Sequence, residues 1–247
     1  MFRVADVTPV MMGWWSALGR HDAHGCHCSR AVVFLPLRSV PFSRLPPLLG
    51  SGIALDQWYP KRVKELPRKT RRSWDEPGHA HFLTWLCYRR LPLLTAERTR
   101  RWVVEAMDAV RQRLHVALWA YVIMPEHVHL LIRPRWADYE MRTILVGLKQ
   151  PVALASRKYL VSKGDSVWLR RLSVEYPSRR VFRFWQPGGG FDRNIFREKS
   201  VPSIIEYIHN NPVRRELVDD PLDWEWSSAR FWGGQTNVPL QMDMPDV

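Results

Sequence analysis

Residues 116–132 read Val-Ala-Leu-Trp-Ala-Tyr-Val-Ile-Met-Pro-Glu-His-Val-His-Leu-Leu-Ile. Val116 to Met124 is a near-continuous apolar run of strand length, as expected of a strand buried on both faces. Pro125-Glu126 can turn the chain, and His127 to Ile132 then reads as the antiparallel partner. Successive side chains on a strand point to opposite faces. Val128, Leu130 and Ile132 therefore enter the core from one face, while His127 and His129 project together from the other.

The flanking sequence supplies the other elements. His81 to Tyr88 is aromatic and apolar and short enough for a strand, which Arg89-Arg90 and Pro92 end. Thr95 is placed to cap a helix over Ala96 to His115, whose apolar positions Trp102, Val103, Ala106, Met107, Val110 and Leu114 fall at helical spacing. A second helix fits Tyr139 to Tyr159, with Ile144, Leu145, Leu148, Val152 and Leu154 as its core side. A basic loop follows, and two short strand pieces, Phe182 to Trp185 and Phe191 to Phe196, flank Gly188-Gly-Gly190. Ser200 opens a last helix to Asn211, which Pro212 stops by pushing its predecessor out of helical geometry. The order strand, helix, strand, strand, helix, strand, helix predicts an α+β fold. It is a ferredoxin-like split βαβ sandwich with an antiparallel sheet and one additional helix.

Composition narrows the partners. The chain has 247 residues, 46% hydrophobic and 25% charged, which is ordinary globular composition and excludes a collagen or a coiled coil. Lys plus Arg number 37 against 24 Asp plus Glu, a net charge of +13. That excess favours a polyanionic partner, and 13 Trp add possible stacking surfaces for bases. No apolar run is long enough for a membrane span, and no basic amphipathic helix suits a membrane surface. Three Cys are too few for a disulfide scaffold and favour a reducing compartment. Met1 to Arg20 lacks the charged region and cleavage site of a signal peptide, so the expected location is cytoplasmic.

Residues 1–73 differ from the rest: Pro and Ser punctuate them, hydrophobic periodicity is weak, and Lys61 to Arg72 is a basic run. They are expected to be a poorly ordered extension, with a backbone-tracking basic arm as the functional alternative. The folded domain is expected over 74–232, with 233–247 as a tail. His24, Cys26, His27 and Cys28 lack the second Cys pair of a structural zinc site.

The chemistry rests on two segments. Two imidazoles on one strand face can hold one divalent ion, or they can be a hydrogen-bonded pair on a half-exposed strand. In the last helix Tyr207 and Asn211 are four apart and share a face, beside a stripe of Ile204, Ile205 and Ile208. Taken alone, Tyr207 reads as a core tyrosine with its hydroxyl tied down, and Asn211 as a helix-terminal residue before proline. Taken with the His pair and the basic chain, a tyrosine hydroxyl can attack a DNA phosphodiester while a metal withdraws charge from the phosphate.

At this point a resemblance adds to the reading. Tyr121 to Ile132, with His127-Val-His129, resembles the HUH motif of single-tyrosine transposases. Glu206 to Val213 resembles their catalytic helix, and Trp224-Glu-Trp226-Ser227-Ser228 is similar to the tail of the REP-associated tyrosine transposase branch. Trp185-Gln186-Pro187 and Phe191-Asp192 also match that branch, and the likeness spans about residues 74 to 232. It implies the insertion-sequence-200-like superfamily, which acts on single-stranded, hairpin-containing DNA through a 5′-phosphotyrosine with Mg²⁺ or Mn²⁺, commonly as a homodimer. On that resemblance Tyr207 is the nucleophile, and His127, His129 and Asn211 are the metal ligands.

For DNA contact the sequence offers Arg89 and Arg90, Lys149, and the loop residues Arg170, Arg171, Arg179 and Arg180. Two further classes stay open. One is a domesticated module that binds hairpins without cleaving them; the other is a hydrolase using the His pair and a water.

Overall fold

In the computed structural model residues 75–245 are described. The expected extension over 1–73, its basic run and the His24–Cys28 cluster lie outside them. The strands are β1 (Ala80–Leu86), β2 (Val116–Ile123), β3 (His127–Pro134), β4 (Ser173–Tyr176), β5 (Arg179–Phe182) and β6 (Phe191–Ile195). The helices are α1 (Glu97–Arg113), α2 (Met141–Ser162), α3 (Ser166–Arg171), α4 (Val201–His209), α5 (Asn211–Arg214) and α6 (Ala229–Trp232).

Four strands form one antiparallel sheet in the order β2-β3-β1-β6. Strands β1 and β2 are thus parallel to each other with β3 between them, and β3 and β6 are parallel with β1 between them. Those are two interleaved split βαβ units, crossed by α1 and α2, and the fold is the expected ferredoxin-like α+β sandwich. All eight residues of β2 are buried, as its unbroken apolar run requires.

The two sheet faces have different covers. Trp85, on the Leu83 and Val128 face, packs against Trp185, whose indole N–H donates to the Lys149 carbonyl of α2 at 2.8 Å. The opposite face carries Phe82 and Thr84 of β1 and His127, His129 and Leu131 of β3, placed together by the β1–β3 register. Helix α4 covers this face on β2 and β3, burying Val201, Ile204, Ile205 and Ile208.

Residues 224–228 close the β2 edge, which would otherwise present unpaired backbone groups. Ile123 N–H donates to Trp226 O at 2.8 Å and Ser228 N–H to Tyr121 O at 3.0 Å. Trp224 and Trp226 are buried beneath the Arg100 guanidinium, 5.1 and 5.6 Å from their ring centres, so their role is packing and not base stacking. The same segment pins α4: the Ser228 hydroxyl lies 2.8 Å from His209 Nε2. Burial pushes the His209 pKa down to about 3, so its imidazole is neutral there. Residues 233–245 pack on the same domain, with Leu240 and Met242 buried and Asp243 accepting from the Leu118 N–H at 2.9 Å.

Four local expectations are corrected. Thr95 does not cap α1: its hydroxyl donates to Pro92 O, and Ala96 holds the cap position. Leu154 is exposed, because the buried α2 positions Ile144, Leu148, Val152 and Ser156 recur every four residues and Leu154 falls between two of them. Part of the expected basic loop is the β4–β5 hairpin. The last helix does not run unbroken to Asn211. It ends at His209, Asn210 keeps a right-handed conformation, and α5 starts afresh with Pro212 in its first turn, where its missing N–H leaves no bond unmade.

The Gly188-Gly-Gly190 loop exists for one close approach. Gly190 has φ +89°, and a Cβ there would stand 2.3 Å from the Thr84 carbonyl oxygen. Gly188 has φ +93° with open space around it. Gly188→Ala is therefore expected to cost about 1 kcal/mol for its backbone alone, and Gly190→Ala distinctly more, because backbone must also move. Urea melts of the two variants beside wild type check the order, which equal midpoints would refute.

Candidate functional site

The β2–β3 turn and the β1–β3 register build the site. His127 and His129 are both buried, with their Nε2 atoms 3.1 Å apart. Each is held from behind at Nδ1. His127 Nδ1 lies 3.2 Å from a Glu126 carboxylate oxygen, which also accepts from Arg215 at 2.9 Å. His129 Nδ1 lies 2.7 Å from Thr84 Oγ1, and Phe82 stacks on the same imidazole at 5.6 Å.

The carboxylate beside His127 fixes where one proton of this row sits. Burial alone would raise the Glu126 pKa, but the hydrogen bond and charge of His127 and the charge of Arg215 outweigh it and bring it down to about 2. The carboxylate only accepts, so His127 donates to it from Nδ1. Burial, then the charges of His127 and Arg215, holds the His129 pKa well below the usual range, which keeps that ring neutral. The neutral His129 ring carries one proton, on Nδ1 facing Thr84 or on Nε2 facing His127. A shared ion needs both Nε2 lone pairs, which puts the His129 proton on Nδ1 facing Thr84. Thr84 permits this, because a hydroxyl accepts as readily as it donates.

The spacing suits that use. Two ligands about 2.1 Å from one ion and at right angles are about 3.0 Å apart. Among the described residues no group of three or more His, Cys, Asp or Glu is arranged to hold a metal. Asn211 is buried at the start of α5, one turn beyond Tyr207.

Tyr207 is not a tied-down core residue. It is 37% exposed, with its ring centre 5.6 Å from that of His129 and 5.9 Å from that of Phe82. The Arg214 guanidinium sits over the same ring at 5.2 Å. Tyr207 also lines an open groove with Ser203, Glu206, Asn210, Val213 and Arg214.

The expected DNA-contacting residues lie on other elements. Arg89 and Arg90 are exposed just after β1, both in the left-handed region at φ 53° and 55°. The Arg89 N–H donates to Gln186 Oε1 at 3.1 Å. Lys149 donates to the Gly188 carbonyl at 2.7 Å and so fastens the glycine loop to α2. Arg170 and Arg171 end α3, Arg171 stacking over Trp168, and Arg179 and Arg180 lie on the β4–β5 hairpin, Arg180 paired with Glu175. Sequence reasoning missed Thr84, Glu126, Arg214 and Arg215. Glu126 lies inside the quoted 121–132 stretch and the Arg214-Arg215 pair directly follows 206–213, whereas Thr84 emerges only from strand register.

No family model matches the chain, and no curated protein matches it. The chain is similar to a solved structure of a REP-associated tyrosine transposase bound to a REP hairpin. Identity is 21% and the TM-score 0.49, over 72% of this chain and 94% of that one. A Deinococcus radiodurans R1 protein with a provisional transposase assignment is also similar, at 20% identity and a TM-score of 0.32, over 57% of this chain and 96% of that one.

If Thr84 serves both tautomers of His129, Thr84→Val, which cannot, weakens Mn²⁺ binding by about 10- to 100-fold, while Thr84→Ser stays near wild type. Calorimetric titration of the three proteins with Mn²⁺ measures this, and equal affinities would refute it.

Proposed function

We propose that this protein is a transposase that cleaves and rejoins single-stranded, hairpin-containing DNA through a covalent 5′-phosphotyrosine at Tyr207. The observation that carries the reading is an exposed phenol beside two buried imidazoles whose Nε2 atoms converge. The net charge of +13 suits a polyanionic substrate.

The chain's own residues divide the work. Tyr207 Oη attacks phosphorus and forms the new O–P bond, the P–O3′ bond breaks, and the departing strand leaves with a free 3′-hydroxyl. The phenol proton is lost and the 3′-oxygen gains one, so charge balances across the step. His127, His129 and the Asn211 amide oxygen would hold the Mg²⁺ or Mn²⁺ that withdraws charge from a nonbridging oxygen and orients the phosphate. Glu126 and Thr84 hold the two imidazoles in place from behind. Rejoining is the reverse attack by a 3′-hydroxyl on the phosphotyrosine, which keeps the energy of the broken bond and needs no nucleotide cofactor.

Hairpin oligonucleotides labelled at the 5′ or the 3′ end and incubated with Mn²⁺ test this. The denaturation-resistant adduct is expected to carry the 3′ label, to vanish in Tyr207→Phe, and to fall at least about 100-fold in His127→Ala while salt-sensitive binding persists. Binding by the wild type with no adduct over a panel of hairpins would favour a non-cleaving module, and an adduct that survives Tyr207→Phe would overturn the assignment of the nucleophile.

A further inference from the structure

Two adjacent arginines follow the Asn-Asn-Pro-Val segment, and the structure gives them different surroundings. Arg215 pairs with the Glu126 carboxylate at 2.9 Å, so its charge is spent inside the protein. Arg214 is exposed, and among the described residues no carboxylate pairs with it. Its guanidinium instead lies over the Tyr207 ring, 5.2 Å from the centroid. Phe82 and His129 meet the same ring edge-on. Arg214 and Tyr207 also line one open groove, together with Ser203, Glu206, Asn210 and Val213.

We infer that Arg214 is the phosphate-binding residue of this groove, the cation that meets the phosphoryl oxygens when DNA is joined to Tyr207. The inference rests on the covalent reading of Tyr207 given above. Arginine is suited to both positions: its flat, weakly hydrated guanidinium stacks on an aromatic face, and its fork of donors matches a phosphate bidentately. A guanidinium stacked on the ring needs only side-chain rotation to face a phosphoryl group on the phenol oxygen. It stays protonated throughout, moves no proton and breaks no bond, so it acts on the charge that gathers on the nonbridging oxygens. Glu206 shares the groove and opposes an anion there. That makes Arg214 the side chain on which phosphate binding in this groove depends.

The test uses the full chain as wild type, Arg214→Gln, Arg214→Lys and Tyr207→Phe. Two quantities are read: adduct formation on a 3′-labelled hairpin strand with Mn²⁺, and the salt dependence of binding to a fluorescein-labelled single-stranded 20-mer. Arg214→Gln is expected to slow adduct formation by about 100-fold or more. Arg214→Lys restores part of the rate, because a point charge replaces a fork. The slope of log K against log salt should shrink by about 0.7 in Arg214→Gln, the share of one phosphate contact on a single strand. An exposed residue with a merely structural role would leave that slope unchanged. Wild-type rate and wild-type slope in Arg214→Gln would overturn the inference. If the wild type forms no adduct, the covalent reading of Tyr207 falls, and the slope alone then decides for Arg214: a drop supports phosphate binding, and an unchanged slope refutes it.

Discussion

The register between β1 and β3 is the constraint on which the site depends. It sets Thr84 opposite His129 and Leu86 opposite His127, so one strand face carries both imidazoles and the hydroxyl that holds one of them. A slip of one residue would send every side chain of β3 to the other face. His127 and His129 would then point toward Trp85 and the α2 side, and Val128 would stand under Tyr207. Such a slip is heavily disfavoured, because Val128, Leu130 and Ile132 are fully buried on the far side. The same hydrophobic burial that folds the sheet therefore aims the imidazoles. Gly190, in the loop just before β6, lets the chain approach β1 from the other side, since any side chain there would meet the Thr84 carbonyl.

Electrostatics completes what packing begins. A buried carboxylate is costly unless it is paired, and Glu126 is compensated from two sides, by Arg215 and by His127. This fixes a proton of His127 on Nδ1, the nitrogen away from the site. Arg215 comes from just beyond α5 and Glu126 from the β2–β3 turn, so one ion pair ties the segment after Tyr207 to the turn before His127. The Trp224–Ser228 segment adds a second tie, through Ser228 and His209. The phenol is thus carried on a helix tied down at its C-terminal residue and again just beyond the short helix that follows.

Much of this was legible in the sequence. The apolar run over 116–124 and the alternation after Pro125 specify the hairpin and the shared face of the His pair, because period-two patterning has one buried solution. The α4 stripe of Ile204, Ile205 and Ile208 was equally plain, since it follows from helical spacing alone. Four things were not legible. Leu154 looked like core because it is apolar, yet the face of α2 is set by its tertiary neighbours. The break at Asn210 was hidden because Pro212 fits the first turn of a new helix as well as the end of an old one. Thr84 needed the β1–β3 register, which no local pattern encodes. Arg214 and Arg215 are identical in sequence and differ only in what faces them.

A crystal grown with Mn²⁺ tests the central claim most directly, through the anomalous scattering of the metal. One peak within about 2.1 Å of both His127 Nε2 and His129 Nε2, lying on the Tyr207 side of the sheet, is the predicted result. A fully occupied ion elsewhere on the chain, with the two imidazoles still joined to each other, would contradict it.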